Sequence, residues 1–208
     1  VRNLTQNATN FSVVNAEFIQ LGQDLPGRYG ITFDGAGVRG SISSSTIRDS
    51  AYGVYLQQSA SATLTGNVIH ASAYFTVFAN NSSGARYVGN LFAGNVDSVP
   101  ALKIYSTGDV FIGNYSVGNA CVGIRLQGGG ALFDQNHFRA NGCVGLRIYG
   151  DGNVISSNTF IHNDWRGLNV NGNSNQVLSN YAFENSNTSI RVHGTGNLVQ
   201  DNDADASW

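Results

Sequence analysis

The sequence predicts an all-β fold: a single-stranded right-handed parallel β-helix, a solenoid of about eight rungs, each of about 22–24 residues with three short strands. Three observations carry this. The chain repeats at a fixed length, asparagine recurs at two fixed positions of that repeat, and residues that favour exposed helices are nearly missing. Charged residues make up 12 % of the 208, about half the usual share of a soluble domain. There is one lysine (Lys103), two glutamates (Glu17 and Glu184) and no methionine, against 26 glycines and 25 asparagines. Such a chain does not build a helical bundle.

The repeat is sharpest in the C-terminal half. Segments starting at Asp109, Ala131, Asn153 and Asn175 align without gaps, each ending where the next begins, and a shorter one begins at Asn197. Looser copies begin near Val38, Ala62 and Ala85. One domain over residues 1–208 follows, with irregular rungs over 1–37, looser ones over 38–108 and regular ones over 109–208. The sixth position of the repeat holds Asn67, Asn90, Asn114, Asn136, Asn158, Asn180 and Asn202. The eleventh holds Asn95, Asn119, Asn141, Asn163 and Asn185. An amide suits a fixed turn position because it donates and accepts along the stack and tolerates left-handed backbone.

Apolar residues alternate over short stretches, as in Leu146-Arg147-Ile148 and Ile190-Arg191-Val192, which is the period of a strand. Rungs stack about 4.8 Å apart, so equivalent residues form columns and the whole is a rod roughly 40 Å long. Expected core columns are Phe111, Phe133, Ile155, Val177 and Val199, with Ile124, Leu146, Leu168 and Ile190 on another wall.

Function in such a stack reads as columns on its outer faces. One outward column runs Lys103, Arg125, Arg147, Asn169, Arg191, and beside it runs Tyr105, Gln127, Tyr149, Asn171, His193. Like charges stacked at this spacing repel by roughly 1 kcal/mol per neighbouring pair in water. The stripe therefore suits an anionic ligand, such as a uronate or sulfated glycan or an acidic protein segment. Its ordinary explanation is that arginine stems cover apolar strand. Trp165, between Asp164 and Arg166 at a corner, is either a stacking platform for a sugar ring or a turn cap. Arg147 with Tyr149 is the candidate catalytic pair, one neutralising a uronate and the other moving a proton.

Other chemistries find little support. The formal charge of −2 argues against a nucleic-acid partner, and no apolar run is long enough for a membrane span. The histidines His70, His137, His162 and His193 occupy different columns, so no metal site and no cofactor is expected. His162 stacks under Glu184, where an exposed ion pair is the ordinary explanation and a catalytic His162 the alternative. The carboxylates Asp109, Asp134, Asp151, Asp164 and Asp201 are scattered, which weakens glycosidase and calcium-assisted lyase readings. Cys121 and Cys143 share a column on adjacent rungs, within reach of a disulfide or standing as stacked thiols. Sequons occur at Asn3, Asn7, Asn10, Asn80, Asn81, Asn114 and Asn187; Asn114 lies in an asparagine column and should be buried, leaving the other six as glycosylation candidates. Val1 opens no signal-peptide pattern, and the composition favours an extracellular or cell-surface setting.

Residues 16–37 depart from the repeat. Glu17, Phe18, Gly22, Gln23, Gly27, Arg28, Tyr29, Ile31 and Phe33 match a signature that resembles the cell-surface and secreted hyaluronidase and fibrocystin-type β-helix family, over about residues 14–80. The resemblance implies a β-helix, a surface location and glycan association. The family's Pro and its two His are Gly30, Thr32 and Asp34 here, so inherited hydrolase activity is not implied. The tail from Asp201 to Trp208 carries no amphipathic helix, and both ends look uncapped. The expected partners are like subunits stacked end to end, with Asp201, Asp203 and Asp205 meeting a basic surface, or the rest of a longer chain. Together these readings favour an extracellular scaffold of a surface or fibrous glycoprotein that stacks into filaments and contacts anionic glycans. The alternatives are an enzyme acting on acidic polysaccharide (a lyase, epimerase or hydrolase) and a glycan-binding tailspike or adhesin module.

Overall fold

The computed structural model describes residues 2–3, 11–23, 25 and 28–205. Among these, every strand pairs in parallel with its equivalent one rung away, building three nine-stranded sheets along one axis. The first sheet holds Arg2–Asn3, Ile31–Asp34, Tyr52–Gln57, Phe75–Asn80, Leu102–Tyr105, Ile124–Gln127, Val144–Tyr149, Arg166–Asn171 and Ile190–His193. The second runs from Phe11–Val14 to Leu198–Gln200 and the third from Glu17–Ile19 to Asp203–Ala204. This is the parallel β-helix that the period predicts. No helix among the described residues is long and apolar enough to cross a membrane.

Both asparagine columns are buried hydrogen-bonded ladders. The side chain of Asn136 accepts from the backbone N–H and the amide of Asn114, at 2.9 Å each, and donates to Phe111 O and Asn158 Oδ1, at 2.9 Å each. The pattern repeats from Asn67 to Asn202 and, in the second ladder, from Asn119 to Asn185, which Asn95 joins through its backbone N–H donating to Asn119 Oδ1. A third ladder joins Asn153, Asn175 and Asn197.

The left-handed corner, expected at the asparagine itself, falls one residue earlier. Gly66, Gly89, Gly113, Gln135, Ser157, Ser179 and Asp201 precede the first ladder with φ between +53° and +62°. Gly94, Gly118, Ala140, His162 and Glu184 precede the second with φ between +52° and +62°. The bend turns the next side chain inward, which is what puts each amide on the stack. Non-glycine residues there cost about 1–2 kcal/mol each, which the buried ladder offsets.

The core columns stack face to face inside the rungs. Tyr87, Phe111 and Phe133 stack with centroids 4.4 Å apart, and Phe138 lies 4.9 Å from Phe160. Val199, expected in the core, is 52 % exposed, and Ile190 is only half-buried. The last rung has no neighbour above it among the described residues. At the C-terminal end Asp201 and Asp203 are exposed. Asp203–Ala204 extends the third sheet, and Asp205 accepts from the Glu184 N–H at 2.7 Å and from the Ser189 hydroxyl. These two donors hold the Asp205 carboxyl below the ordinary carboxylate value.

Candidate functional site

The outer face of the first sheet carries the predicted columns in register. Lys103, Arg125, Arg147, Asn169 and Arg191 are successive partners. The column continues toward the N-terminus as Phe78, Tyr55 and Thr32. The wall therefore has a cationic half and an aromatic half. Tyr29 stacks on Tyr55 at 4.2 Å and Tyr55 on Phe78 at 5.2 Å. Burial, together with nearby Tyr29 and Asp34, pushes the Tyr55 hydroxyl up. The aromatic half escaped the sequence reading because the steps from Tyr55 to Phe78 and from Phe78 to Lys103 are longer than the regular period. In the loop before it, Gly22 (φ +76°) packs against Gly30, and the Gln23 N–H donates to Arg28 O at 2.6 Å. Gly27 lies outside the described residues.

The stripe cations have no carboxylate partners among the described residues. Among the described residues the ion pairs are Arg48 with Glu17 and Asp49, and His162 with Glu184. The cations lie over aromatic rings instead. Lys103 sits 5.3–5.8 Å from the centroids of Phe75, Phe78 and Tyr105, and Arg125 sits 5.3 Å from that of Tyr149. Arg147 lies 5.6 Å and Arg166 3.7 Å from Trp165. Each such contact contributes about 0.5–1 kcal/mol near the surface. Arg191 donates to Asn169 Oδ1 at 3.3 Å. The Nε atoms of Arg125, Arg147 and Arg166, and Oε1 of Gln127, are buried without a hydrogen-bond partner.

The candidate pair Arg147 and Tyr149 shares one strand and one face, yet each engages a different partner. Tyr149 faces Arg125, and Arg147 faces Trp165. Trp165 belongs to the turn at this corner. The residue is 38 % exposed, its backbone N–H donates to Cys143 O at 2.8 Å, and its carbonyl accepts from the Asn187 backbone N–H at 2.7 Å. Cys121 and Cys143 form a disulfide in the same corner column, with Cα atoms 4.5 Å apart.

Beside Tyr105 and Gln127 a concavity of about 440 Å³ is lined also by Asn81, Ser83, Ser106 and Thr107. Beneath it the Ser106 hydroxyl donates to Asp109, which is wholly buried. Burial raises this carboxyl to about 6, against the lowering effect of Ser106 and the N–H groups of Ala85 and Gly84. The sequence reading placed Asp109 only among scattered carboxylates, although it opens a repeat whose later copies place Asn153 and Asn175 at that position.

Of the sequons, Asn114 is 1 % exposed with its amide inside a ladder. Asn80 is half-buried and donates to Gln57 Oε1, while Asn81 and Asn187 are exposed. Asn3 lies in a strand, and Asn7 and Asn10 fall outside the described residues. His137 stacks on Tyr115 at 4.7 Å. Among the described residues no three His, Cys, Asp or Glu side chains gather as metal ligands.

No curated protein matches the chain. Solved structures do. The periplasmic alginate epimerase AlgG is 17 % identical with a TM-score of 0.78, over 89 % of this chain and 48 % of that one. A point mutant of AlgG reaches a TM-score of 0.82 at 15 % identity, over 95 % of this chain and 60 % of that one. The Azotobacter vinelandii mannuronan C-5 epimerase AlgE4 A-module is 11 % identical with a TM-score of 0.61, over 95 % of this chain and 88 % of that one. The chain thus spans about half the length of AlgG, and the likeness is one of fold. It carries the resemblance of residues 14–80 no further than the β-helix itself. Residues 29–204 match the family described as "Right handed beta helix region". With most of its length inside that match, the chain belongs to the right-handed β-helix family.

Proposed function

We propose that this chain acts on an acidic polysaccharide, a polyuronate lying along the outer face of the first sheet, with chemistry at C5 of one uronate residue. The observation that carries this is the in-register column of Lys103, Arg125, Arg147 and Arg191, free of carboxylate partners among the described residues and flanked by Tyr105 and Tyr149. A guanidinium paired with the uronate carboxylate makes the C5 proton removable by spreading the developing negative charge. Arg125 is the arginine that faces Tyr149, so Arg125 neutralises and Tyr149 moves the proton. The proton that Tyr149 takes from C5 is either replaced from solvent on the opposite face, inverting the centre, or passed to the departing O4 as the C4–O bond breaks, leaving a C4=C5 double bond. The alginate and mannuronan epimerases with this fold support the same substrate class. A periplasmic neighbour and a disulfide support an exported protein, extracellular or at the cell surface.

The test is incubation with polymannuronate in deuterated water. Incorporation of deuterium at C5, lost in Tyr149→Phe and reduced in Arg125→Ala, supports the reading. Absence of both exchange and unsaturated product refutes it. A non-catalytic scaffold holding the same polymer is the second reading. The 37 % exposure of Tyr149 on an open face favours it, because proton abstraction gains from exclusion of water. Retained affinity without exchange identifies it.

A further inference from the structure

Trp165 gathers more positive charge than the stripe alone provides. Arg166 lies 3.7 Å from the indole centroid and Arg147 5.6 Å, on neighbouring strands of the first sheet. Arg191 follows one rung on in the column of Arg147 and Asn169. The three guanidinium groups are close enough that burial, Arg191 and Arg147 together pull the Arg166 pKa down. No carboxylate among the described residues pairs with any of them. Arg147 and Arg166 each keep a buried Nε–H without an acceptor among the described residues. Buried donors that face no acceptor are costly, and crowded like charges add to the cost. An oxyanion relieves both at once, because each guanidinium fork matches two of its oxygens. The disulfide between Cys121 and Cys143 lies directly under Trp165 in the corner column and fixes the platform.

We propose that Trp165, Arg147, Arg166 and Arg191 form an oxyanion-binding subsite for a glycan, with Trp165 as the platform for the sugar ring that bears the anionic group. The subsite rests on the reading of the wall as a polysaccharide track and extends it. It anchors a residue of the polymer away from the Arg125–Tyr149 pair, so short oligomers that fill only one of the two places bind less well. The group held is a uronate carboxylate or a sulfate ester, which share oxygen acceptors and negative charge.

Trp165 reports on the subsite itself. The chain has two tryptophans, so Trp208→Phe leaves Trp165 as the sole indole emitter. That protein is titrated with oligomannuronate, with a sulfated oligosaccharide and with inorganic sulfate, at low and at physiological salt. A saturable change in emission with either oligosaccharide is expected. Arg166→Gln should weaken it about tenfold, the loss of one charge-assisted contact. Arg191→Gln, with circular dichroism confirming its fold, should weaken it as well. The tighter of the two oligosaccharides identifies the anionic group. Unchanged emission with both oligosaccharides, or equal affinity in both variants and the parent, overturns the subsite. Emission that responds only to the sulfated oligosaccharide keeps the subsite and removes the polyuronate reading. Deuterium exchange at C5 with silent Trp165 keeps the function and removes the subsite.

Discussion

Replacing one amide in the middle of the first ladder should cost far more than replacing the same amide at its end. In Asn136→Ala four buried hydrogen bonds disappear, two made by Oδ1 and two by Nδ2. Some partners keep other contacts: the Asn114 amide still donates to Tyr87 O, and Asn158 Oδ1 still accepts from the Asn136 N–H. The N–H of Asn114 and the carbonyl of Phe111 lose Asn136 in a wholly buried layer. At about 1–3 kcal/mol for each unsatisfied group, the expected loss is about 3–5 kcal/mol. Asn202 makes the equivalent bonds to Asn180 and Val177 but is half-buried, so water replaces them. Asn202→Ala should cost about 1 kcal/mol or less. Guanidinium unfolding followed by far-ultraviolet circular dichroism compares the two, and hydrogen exchange at the Asn114 amide checks the local opening. Equal losses, or a loss below about 1 kcal/mol for Asn136→Ala, would refute the view that the ladder is held by buried satisfaction of its amides.

Two further perturbations follow from buried groups. The Asp109 carboxyl, raised from 3.8 to about 6, binds its proton more tightly in the folded chain than in the unfolded one. Stability should therefore fall as pH rises between about 4 and 6 and level off above, by up to about 3 kcal/mol. Asp109→Asn supplies the amide used at this position by Asn153 and Asn175, so thermal melts should show it more stable than the parent at pH 7, with the slope removed; an unchanged slope contradicts the assignment. The disulfide joins cysteines at a sequence separation of 22. Its reduction, or Cys121→Ser, should lower stability by about 3 kcal/mol in denaturant titrations, and no difference with reductant would count against the bond.

Much of the stack was legible because a solenoid turns sequence period into spatial neighbourhood. Residues one period apart become partners across about 4.8 Å of backbone hydrogen bonding, whatever their side chains are. The amide ladders, the Cys121–Cys143 pair, the His162–Glu184 contact and the column from Lys103 to Arg191 all follow from that spacing. Where the spacing stretches beyond the regular period the same rule lost its purchase, and the aromatic run of Tyr55 and Phe78 was found only in three dimensions.

Long side chains escape the rule altogether. An arginine reaches farther than the rung spacing, so its column does not say which ring it covers. Packing directs Arg125 to Tyr149 and gathers Arg147 and Arg166 at Trp165. Burial is likewise a property of the assembled stack. Val199 and Val177 share a column, but a rung covers only one of them, and so one is in water and the other in the core. The repeat period sets which residues are neighbours, because backbone pairing does not depend on side chains. Which of those neighbours touch, and how deeply they lie, depends on side-chain reach and on the layers above and below, and these exist only once the rungs have stacked.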